Sequence, residues 1–209
     1  QDQYGLHTIC NIYYDTASYD LIRHSLEKPI YKEKFRVRSY GRADKTRPVF
    51  LELKKKYKGV VYKRRVAMTF AEAEAYLLQN KSPKNPEQIL REIDWFLNLN
   101  DVAPKIFIAY DRIALFCETN PNLRITFDHN IRFRDYDLDL SKGTYGRELI
   151  DKKMYLMELK IEHAVPLWLS NYLTKEQIYP TSFSKYGTCY KEYLFYKELS
   201  KNKGGIYCA

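Results

Sequence analysis

The chain is predicted to be an α+β protein: antiparallel strands closing into a barrel with a polar lumen, with helices flanking it. Three observations predict this. Residues 31–41 (YKEKFRVRSYG) alternate in the period of a strand, with Lys32, Lys34, Arg36 and Arg38 on one face and Tyr31, Glu33, Phe35, Val37 and Ser39 mostly on the other. Most other strand-like segments also pair an apolar face with one that carries Arg, Lys or a single Glu at alternate positions. The helical stretches between them are too short to form a domain of their own. Four cations in a row repel one another unless something anionic lies along them. A solvated edge strand accounts for the lysines, and a soluble sheet also turns its polar face to water. The arginines are better suited to forked contacts with phosphate oxygens. If the charged faces point inward, the lumen needs anions, because buried unpaired charge is costly. A linear phosphate chain meets that need.

Taken in order, residues 8–15 (TICNIYYD) form an apolar run ending at Asp15-Thr16 and are predicted to be a buried strand. Residues 19–27 suit a short helix that stops at Pro29. After the basic strand, residues 41–48 are a polar loop. Residues 49–55 (VFLELKK) form a strand in which Glu52 and Lys54 share a face with Phe50. Gly59 marks a turn into residues 60–68, where Lys63 and Arg65 share a face with Val61. These segments suggest a long antiparallel meander with one charged face.

Residues 69–79 (TFAEAEAYLLQ) are rich in helix formers behind a candidate N-cap, Thr69. Asn85-Pro86 is predicted to open a second helix carrying Ile89, Ile93, Trp95, Phe96 and Leu97 towards a core. The pair forms a helical insertion over about 69–99. In residues 105–116 (KIFIAYDRIALF), Arg112 shares a side with Ile108, Tyr110 and Ala114. Strict alternation through residues 123–134 (LRITFDHNIRFR) places Arg124, Thr126, Asp128, Asn130, Arg132 and Arg134 on one face, with Ile125, Phe127, Ile131 and Phe133 opposite. Gly143 and Gly146 lie in a loop. Residues 154–162 (MYLMELKIE) put Leu156, Glu158 and Lys160 on one face. A short helix follows Pro166, and a C-terminal helix over about 182–203 ends at Gly204-Gly205. The sequence shows no internal repeat.

The 209 residues suit a single domain, and the net charge of +9 points to an anionic partner. Tyrosine is twice as frequent as phenylalanine, 20 against 10, which suits surfaces half packed and half wet. No apolar run reaches transmembrane length, and no signal peptide is visible. Cys10, Cys117, Cys189 and Cys208 have no CxxC pair or zinc-finger spacing and suggest the scattered thiols of a cytoplasmic protein. His7, His24, His129 and His163 lack metal-ligand spacing, and no Ser-His-Asp or Cys-His set stands out.

The segments NIYYDT (11–16), YKEKFRVRSYG (31–41), VFLELKKK (49–56), YDRIA (110–114), LRITFD (123–128), LMELKI (156–161) and PTSFSKYGTCY (180–190) together resemble the VTC-type polyphosphate polymerase domain. That family belongs to the triphosphate tunnel metalloenzymes, also called CYTH-like proteins. The resemblance runs in order over nearly all of residues 1–209. It implies an eight-stranded antiparallel tunnel flanked by helices. It also implies phosphate-binding roles for Lys34, Arg36 and Arg38 (K-x-R-x-R), Lys54 (E-L-K), Lys63 (Y-K-R-R), Arg112 (Y-D-R), Arg124 (L-R-I), Lys160 and Lys185 (S-F-S-K-Y-G), with Arg36, Arg38, Lys63 and Arg124 as the catalytic set. Glu158 (M-E-L-K) matches the glutamate that binds a divalent metal, Mn²⁺ or Mg²⁺. Members usually begin with a further strand bearing an E-x-K-Y-type motif and then a helix. This chain opens downstream of both, so the first tunnel strand is expected to be missing from it.

Phosphoryl transfer needs in-line positioning and charge neutralisation more than a protein nucleophile. The resemblance implies transfer of the ATP γ-phosphate to a growing polyphosphate chain, and the lack of a nucleophilic set is consistent with that. A triphosphate hydrolase on the same tunnel and a non-enzymatic polyphosphate-binding module are the alternatives. Nucleic-acid binding is favoured only by net charge and is not expected. Glu52 is expected to pair with neighbouring lysines rather than to bind metal.

Overall fold

A computed structural model of the chain describes residues 5–79, 81, 87–118, 120–162 and 164–203, with side chains to residue 200. Among the described residues eight strands form one antiparallel sheet: β1 (His7–Asp15), β2 (Tyr31–Tyr40), β3 (Pro48–Tyr57), β4 (Val60–Thr69), β5 (Ala103–Phe116), β6 (Arg124–Arg134), β7 (Arg147–Glu148) and β8 (Leu156–Lys160). Their order is β4-β3-β2-β1-β5-β6-β7, and β8 pairs with the first half of β6. Among the described residues no ladder joins β4 to β8. Both nevertheless contribute to the wall of one cavity, so the sheet curls and turns its charged face inward.

Cross-strand register aligns that face. Asn11 and Tyr13 of β1 stand opposite Arg38 and Arg36 of β2. Arg36 in turn faces Glu52, and Lys34 faces Lys54, on β3. On the other flank, Arg112 of β5 faces Asp128 of β6, and Leu156 of β8 stands beside Asp128. The alternate positions Cys10, Ile12, Phe35, Val37, Leu51, Leu53 and Phe107 point the other way. They are buried beneath the helices α2 (Phe70–Gln79) and α3 (Gln88–Leu99). This outer core holds the sheet's curvature against the repulsion inside.

Helix α2 starts where its sequence predicts. Glu72 Oε2 accepts from the Thr69 backbone N–H at 2.8 Å, while Glu72 N–H donates to Thr69 Oγ1 at 3.3 Å, a reciprocal capping box. Asn85-Pro86, the expected start of the next helix, lies outside the described residues. In α3, Leu90, Ile93 and Phe96 form the buried stripe. Trp95, expected in the core, is 70 % exposed, because it falls off that stripe.

The C-terminal part packs on the inner face. Helix α1 (Asp20–Leu26) and helix α5 (Lys185–Cys189) meet there, and α5 runs through a π-helical turn at Tyr190–Leu194 into α6 (Phe195–Lys203). Their apolar residues Ile22, Tyr186, Cys189, Tyr190 and Leu194 cover Ile9, Ile106, Ile108, Ile131 and Phe133 of the sheet. Only part of the inner face is left open, and it is the cationic part. Helix α4 (Leu167–Lys175) lies in the connection from β8 to α5.

Strict alternation through residues 123–134 fails at Asn130, which adopts a left-handed conformation with φ 48°. The β5–β6 register shifts between Ala109 and Asp111. Arg124, Thr126 and Asp128 keep the inner face, as expected. Beyond the shift Ile131 and Phe133 turn inward, and Arg132 and Arg134 turn to the outer face. Arg132 Nη1 donates to Asp111 at 3.2 Å. Arg134, 1 % exposed, lies 3.6 Å from the Phe107 ring centroid and donates to the carbonyls of Asp137, Asp139, Gly143 and Tyr145.

Candidate active site

The open part of the inner face is a cavity of about 580 Å³. Its walls come from Tyr13 of β1, Lys32, Lys34, Arg36 and Arg38 of β2, Glu52, Lys54 and Lys56 of β3, Val61 and Lys63 of β4, Tyr110 and Arg112 of β5, and Glu158 of β8. The segment 182–186, which leads into α5, closes one side.

Two acidic nodes organise the cations. At the first, Glu52 is 1 % exposed. Its Oε2 lies 2.7 Å from both Nε and Nη2 of Arg36 and 3.8 Å from Arg38 Nε. Its Oε1 lies 2.8 Å from Lys63 Nζ and 3.2 Å from Arg65 Nε. Burial alone would raise the Glu52 carboxyl; Arg36, Arg38 and Lys63 outweigh it and hold it at about 2. The pairing expected of Glu52 is with lysines; the geometry pairs it with one lysine, Lys63, and with the arginines Arg36, Arg38 and Arg65. One carboxylate cannot neutralise four cations, so the node keeps an excess of positive charge.

The arginines are also fixed by neutral groups. Arg36 Nη1 donates to Tyr13 Oη at 2.9 Å, Arg38 Nε to Asn11 Oδ1 at 2.9 Å, and Arg38 Nη2 to Tyr110 Oη at 3.2 Å. Burial raises the Tyr13 phenol, but Arg36 and Arg38 bring it below its ordinary value. Such anchoring pre-orders the guanidiniums, so that little entropy is lost when an anion arrives.

At the second node, fully buried Asp128 accepts from Arg112 Nε at 2.5 Å and Nη2 at 2.7 Å, and Lys185 Nζ stands 2.6 Å from its Oδ2. Glu158, 50 % exposed, reaches the same pair, with Lys185 Nζ at 3.0 Å and Arg112 Nη2 at 3.4 Å. Desolvation works against the charged Lys185, but Tyr110, Asp128 and Glu158 raise its pKa above the ordinary lysine value.

Between the node at Glu52 and the far end of β2 lies a ladder of lysines. Lys32 stands directly opposite Lys56, Lys34 opposite Lys54, and Lys54 opposite Lys63. Among the described residues no carboxylate lies within ion-pair distance of Lys32, Lys34, Lys54 or Lys56. Lys34 Nζ donates to Ser184 Oγ at 3.3 Å, and Lys32 Nζ to the Ser25 carbonyl at 2.9 Å. Burial, with help from Lys32 and Lys54, lowers the Lys34 ammonium to about 8. Facing like charges destabilise a sheet, and polyanion binding relieves that repulsion.

The closing segment is held from below. The buried carboxylate of Asp15 accepts from the backbone N–H groups of Thr16, Leu21 and Ile22, which anchors α1, and from Tyr186 Oη at 2.8 Å. The Tyr186 ring stacks on Tyr13 at 5.0 Å, and Ser184 caps α5 by accepting from Gly187 N–H. Lys185 and Ser184 are thereby carried to the cavity wall.

Of the residues expected at the site, Lys34, Arg36, Arg38, Lys54, Lys63, Arg112, Glu158 and Lys185 share this one cavity. Arg124 and Lys160 do not line it. They stand opposite each other on β6 and β8, four residues and about 13 Å of strand beyond Asp128. The Arg124 guanidinium lies 5.0 Å from the Phe116 ring centroid. Sequence reasoning missed Tyr13, Asn11, Tyr110 and Ser184 as partners of the cations, and Asp128 as the second node. Asn11 and Tyr13 alternate in an otherwise apolar run, and that was the available signal. Nothing in the local sequence places Ser184 beside Lys34.

For a divalent cation the donor set is sparse but usable. Among the described residues no group of three or more His, Cys, Asp or Glu side chains converges. Glu52 and Asp128 are committed to buried cations. Glu158 is half-exposed on the wall, and Mg²⁺ at phosphate sites needs only one or two carboxylates, the remaining ligands being substrate oxygens and water. A metal there would have to share Glu158 with Lys185 and Arg112, which lie 3.0 and 3.4 Å from it, and would take its other ligands from phosphate oxygens and water.

A family model described as the VTC domain matches residues 1–194. No curated protein matches the chain. Among solved structures, a candidate adenylate cyclase from Bacillus halodurans superposes with a TM-score of 0.54 at 14 % identity, covering 88 % of this chain and 81 % of its own, which is a likeness of fold. A candidate adenylyl cyclase from Hippeastrum, described as having a dominant triphosphatase activity, gives a TM-score of 0.43 at 17 % identity, covering 87 % of this chain and 80 % of its own.

Proposed function

The chain belongs to the VTC domain family, and on that premise we propose that it is a polyphosphate polymerase domain, transferring the γ-phosphate of ATP to the end of a growing chain. The supporting observation is the length of the cationic track. From Arg38 to Lys32 the inner face of β2 is cationic at every alternate position, over about 20 Å. Lys54, Lys56 and Lys63 extend it across β3 and β4. That is longer than one triphosphate requires, and it suits a linear phosphate polymer.

In this reading Arg36, Arg38 and Lys63 grip the donor phosphates around the Glu52 node, and Arg112 and Lys185 grip them from the opposite wall. A terminal oxygen of the chain attacks the γ-phosphorus, the bond from that phosphorus to the β,γ-bridging oxygen breaks, and ADP leaves. No protein nucleophile is involved. The chain's own contribution is alignment and neutralisation of charge on the equatorial oxygens. Glu158 would hold Mg²⁺ or Mn²⁺, which supplies further charge neutralisation at the phosphate oxygens. Arg124 and Lys160 then belong to the approach to the cavity rather than to its centre.

Binding measured against chain length tests the track. Affinity should keep rising beyond three phosphates, and the Lys32→Ala/Lys56→Ala double variant should remove the increment while binding tripolyphosphate as before. A protein whose affinity stops rising at tripolyphosphate has a triphosphate site and not a polymer track.

A further inference from the structure

The inner face does not end with its cations. Two residues beyond Arg38 on β2 the same face carries Tyr40, and two residues before Glu52 on β3 it carries Phe50. Their rings meet edge to face at 5.6 Å. Arg65 of β4 lies 3.7 Å from the Phe50 ring centroid and donates from Nη2 to Tyr40 Oη at 3.1 Å. Its Nε is at the same time 3.2 Å from Glu52 Oε1. One guanidinium therefore links the phosphate-gripping node to an aromatic pair. Arg65 covers the Phe50 ring, and Tyr40 is the open member of the pair, 46 % exposed.

A rigid, half-exposed aromatic surface next to a cationic centre matches a molecule that joins a flat heterocycle to phosphates. Stacking on aromatic side chains stabilises nucleobases whatever their identity, because every base presents a π face, and a stacked arginine adds to this. At the opposite end the inner face of β2 itself carries only Lys32 and Lys34, and the apolar groups beside them on the cavity wall are Val61 of β4 and Phe183.

We propose that Tyr40, Phe50 and Arg65 form the subsite for the base of the donor nucleotide. The triphosphate then runs from this end past Arg38 and Arg36, and the polymer lies over Lys34 and Lys32. The inference rests on reading the cavity as an ATP-dependent site, and it adds a direction: nucleotide at the Tyr40 end, polymer at the Lys32 end. Because the contact is by stacking, adenine and guanine nucleotides should serve nearly equally.

Titration of ATP and of tripolyphosphate into the wild-type protein, Tyr40→Ala and Tyr40→Phe tests it. Tyr40→Ala should weaken ATP about tenfold and leave tripolyphosphate within about twofold, while Tyr40→Phe keeps the ring and retains most of the ATP affinity. Equal losses for both ligands in Tyr40→Ala, or an unchanged ATP affinity, would overturn the subsite. Wild-type protein that binds neither ligand would overturn the reading of the cavity as well. Wild-type protein that binds both, with ATP indifferent to Tyr40→Ala, removes the subsite alone.

Discussion

Lys34 is the cation of the cavity whose charge is least secure. It is half-buried, it faces Lys54 across the sheet, and among the described residues its one hydrogen bond is to the neutral Ser184 hydroxyl. Its pKa of about 8 lies below the ordinary 10.5. In the ligand-free protein the folded state gives up this proton before the unfolded state does. The ammonium's burial penalty is therefore full below about pH 8 and is relieved as pH rises from there towards 10.5. A phosphate beside Lys34 reverses the balance by favouring the charged form. Tripolyphosphate binding should accordingly take up a proton near pH 8 and weaken as pH rises through that value, by up to about tenfold per pH unit. Calorimetry in buffers of different ionisation enthalpy reads the uptake. Lys34→Met should abolish it, and uptake persisting in that variant would assign the proton elsewhere.

Strands β2 and β6 show what alternation can and cannot reveal. In β2 the period of two runs unbroken, and every inner-face residue expected from it stands where it should. In β6 the same reasoning holds to Asp128 and inverts after Asn130, because one left-handed residue shifts the ladder and exchanges the faces. The sequence carried a weak sign of this, since His129 interrupts the apolar side and Asn tolerates positive φ. Trp95 departs from the core for a different reason: its neighbours Ile93 and Phe96 define a helical stripe that excludes it. Asn130 also donates from Nδ2 to Asp111 at 2.7 Å. Replacing it with Ala sets a Cβ residue in the left-handed region without that bond and should cost about 1–3 kcal/mol in urea unfolding. Asn130→Gly, which loses the bond but not the conformation, should cost less. A larger loss in Asn130→Gly would show that φ is not what fixes the register.

The whole cavity draws on β1, β2, β3, β4, β5, β8 and the segment leading to α5, spread from Tyr13 to Tyr186. Local patterning revealed that charged faces existed, and the order of motifs revealed their family. How the faces meet depends on contacts distant in sequence, such as Asp15 with Tyr186 and Lys34 with Ser184, which no local pattern encodes. The same assembly separates two chemistries that share these cations: attack on the γ-phosphorus by a chain end, or by water. Resolving the products made from ATP labelled in the γ-phosphate, with Mn²⁺ present, distinguishes them most directly. A ladder of labelled polyphosphates should accumulate, with one ADP formed for each phosphate transferred. Label released only as single inorganic phosphate, with no chain longer than the donor's, would contradict the polymerase reading.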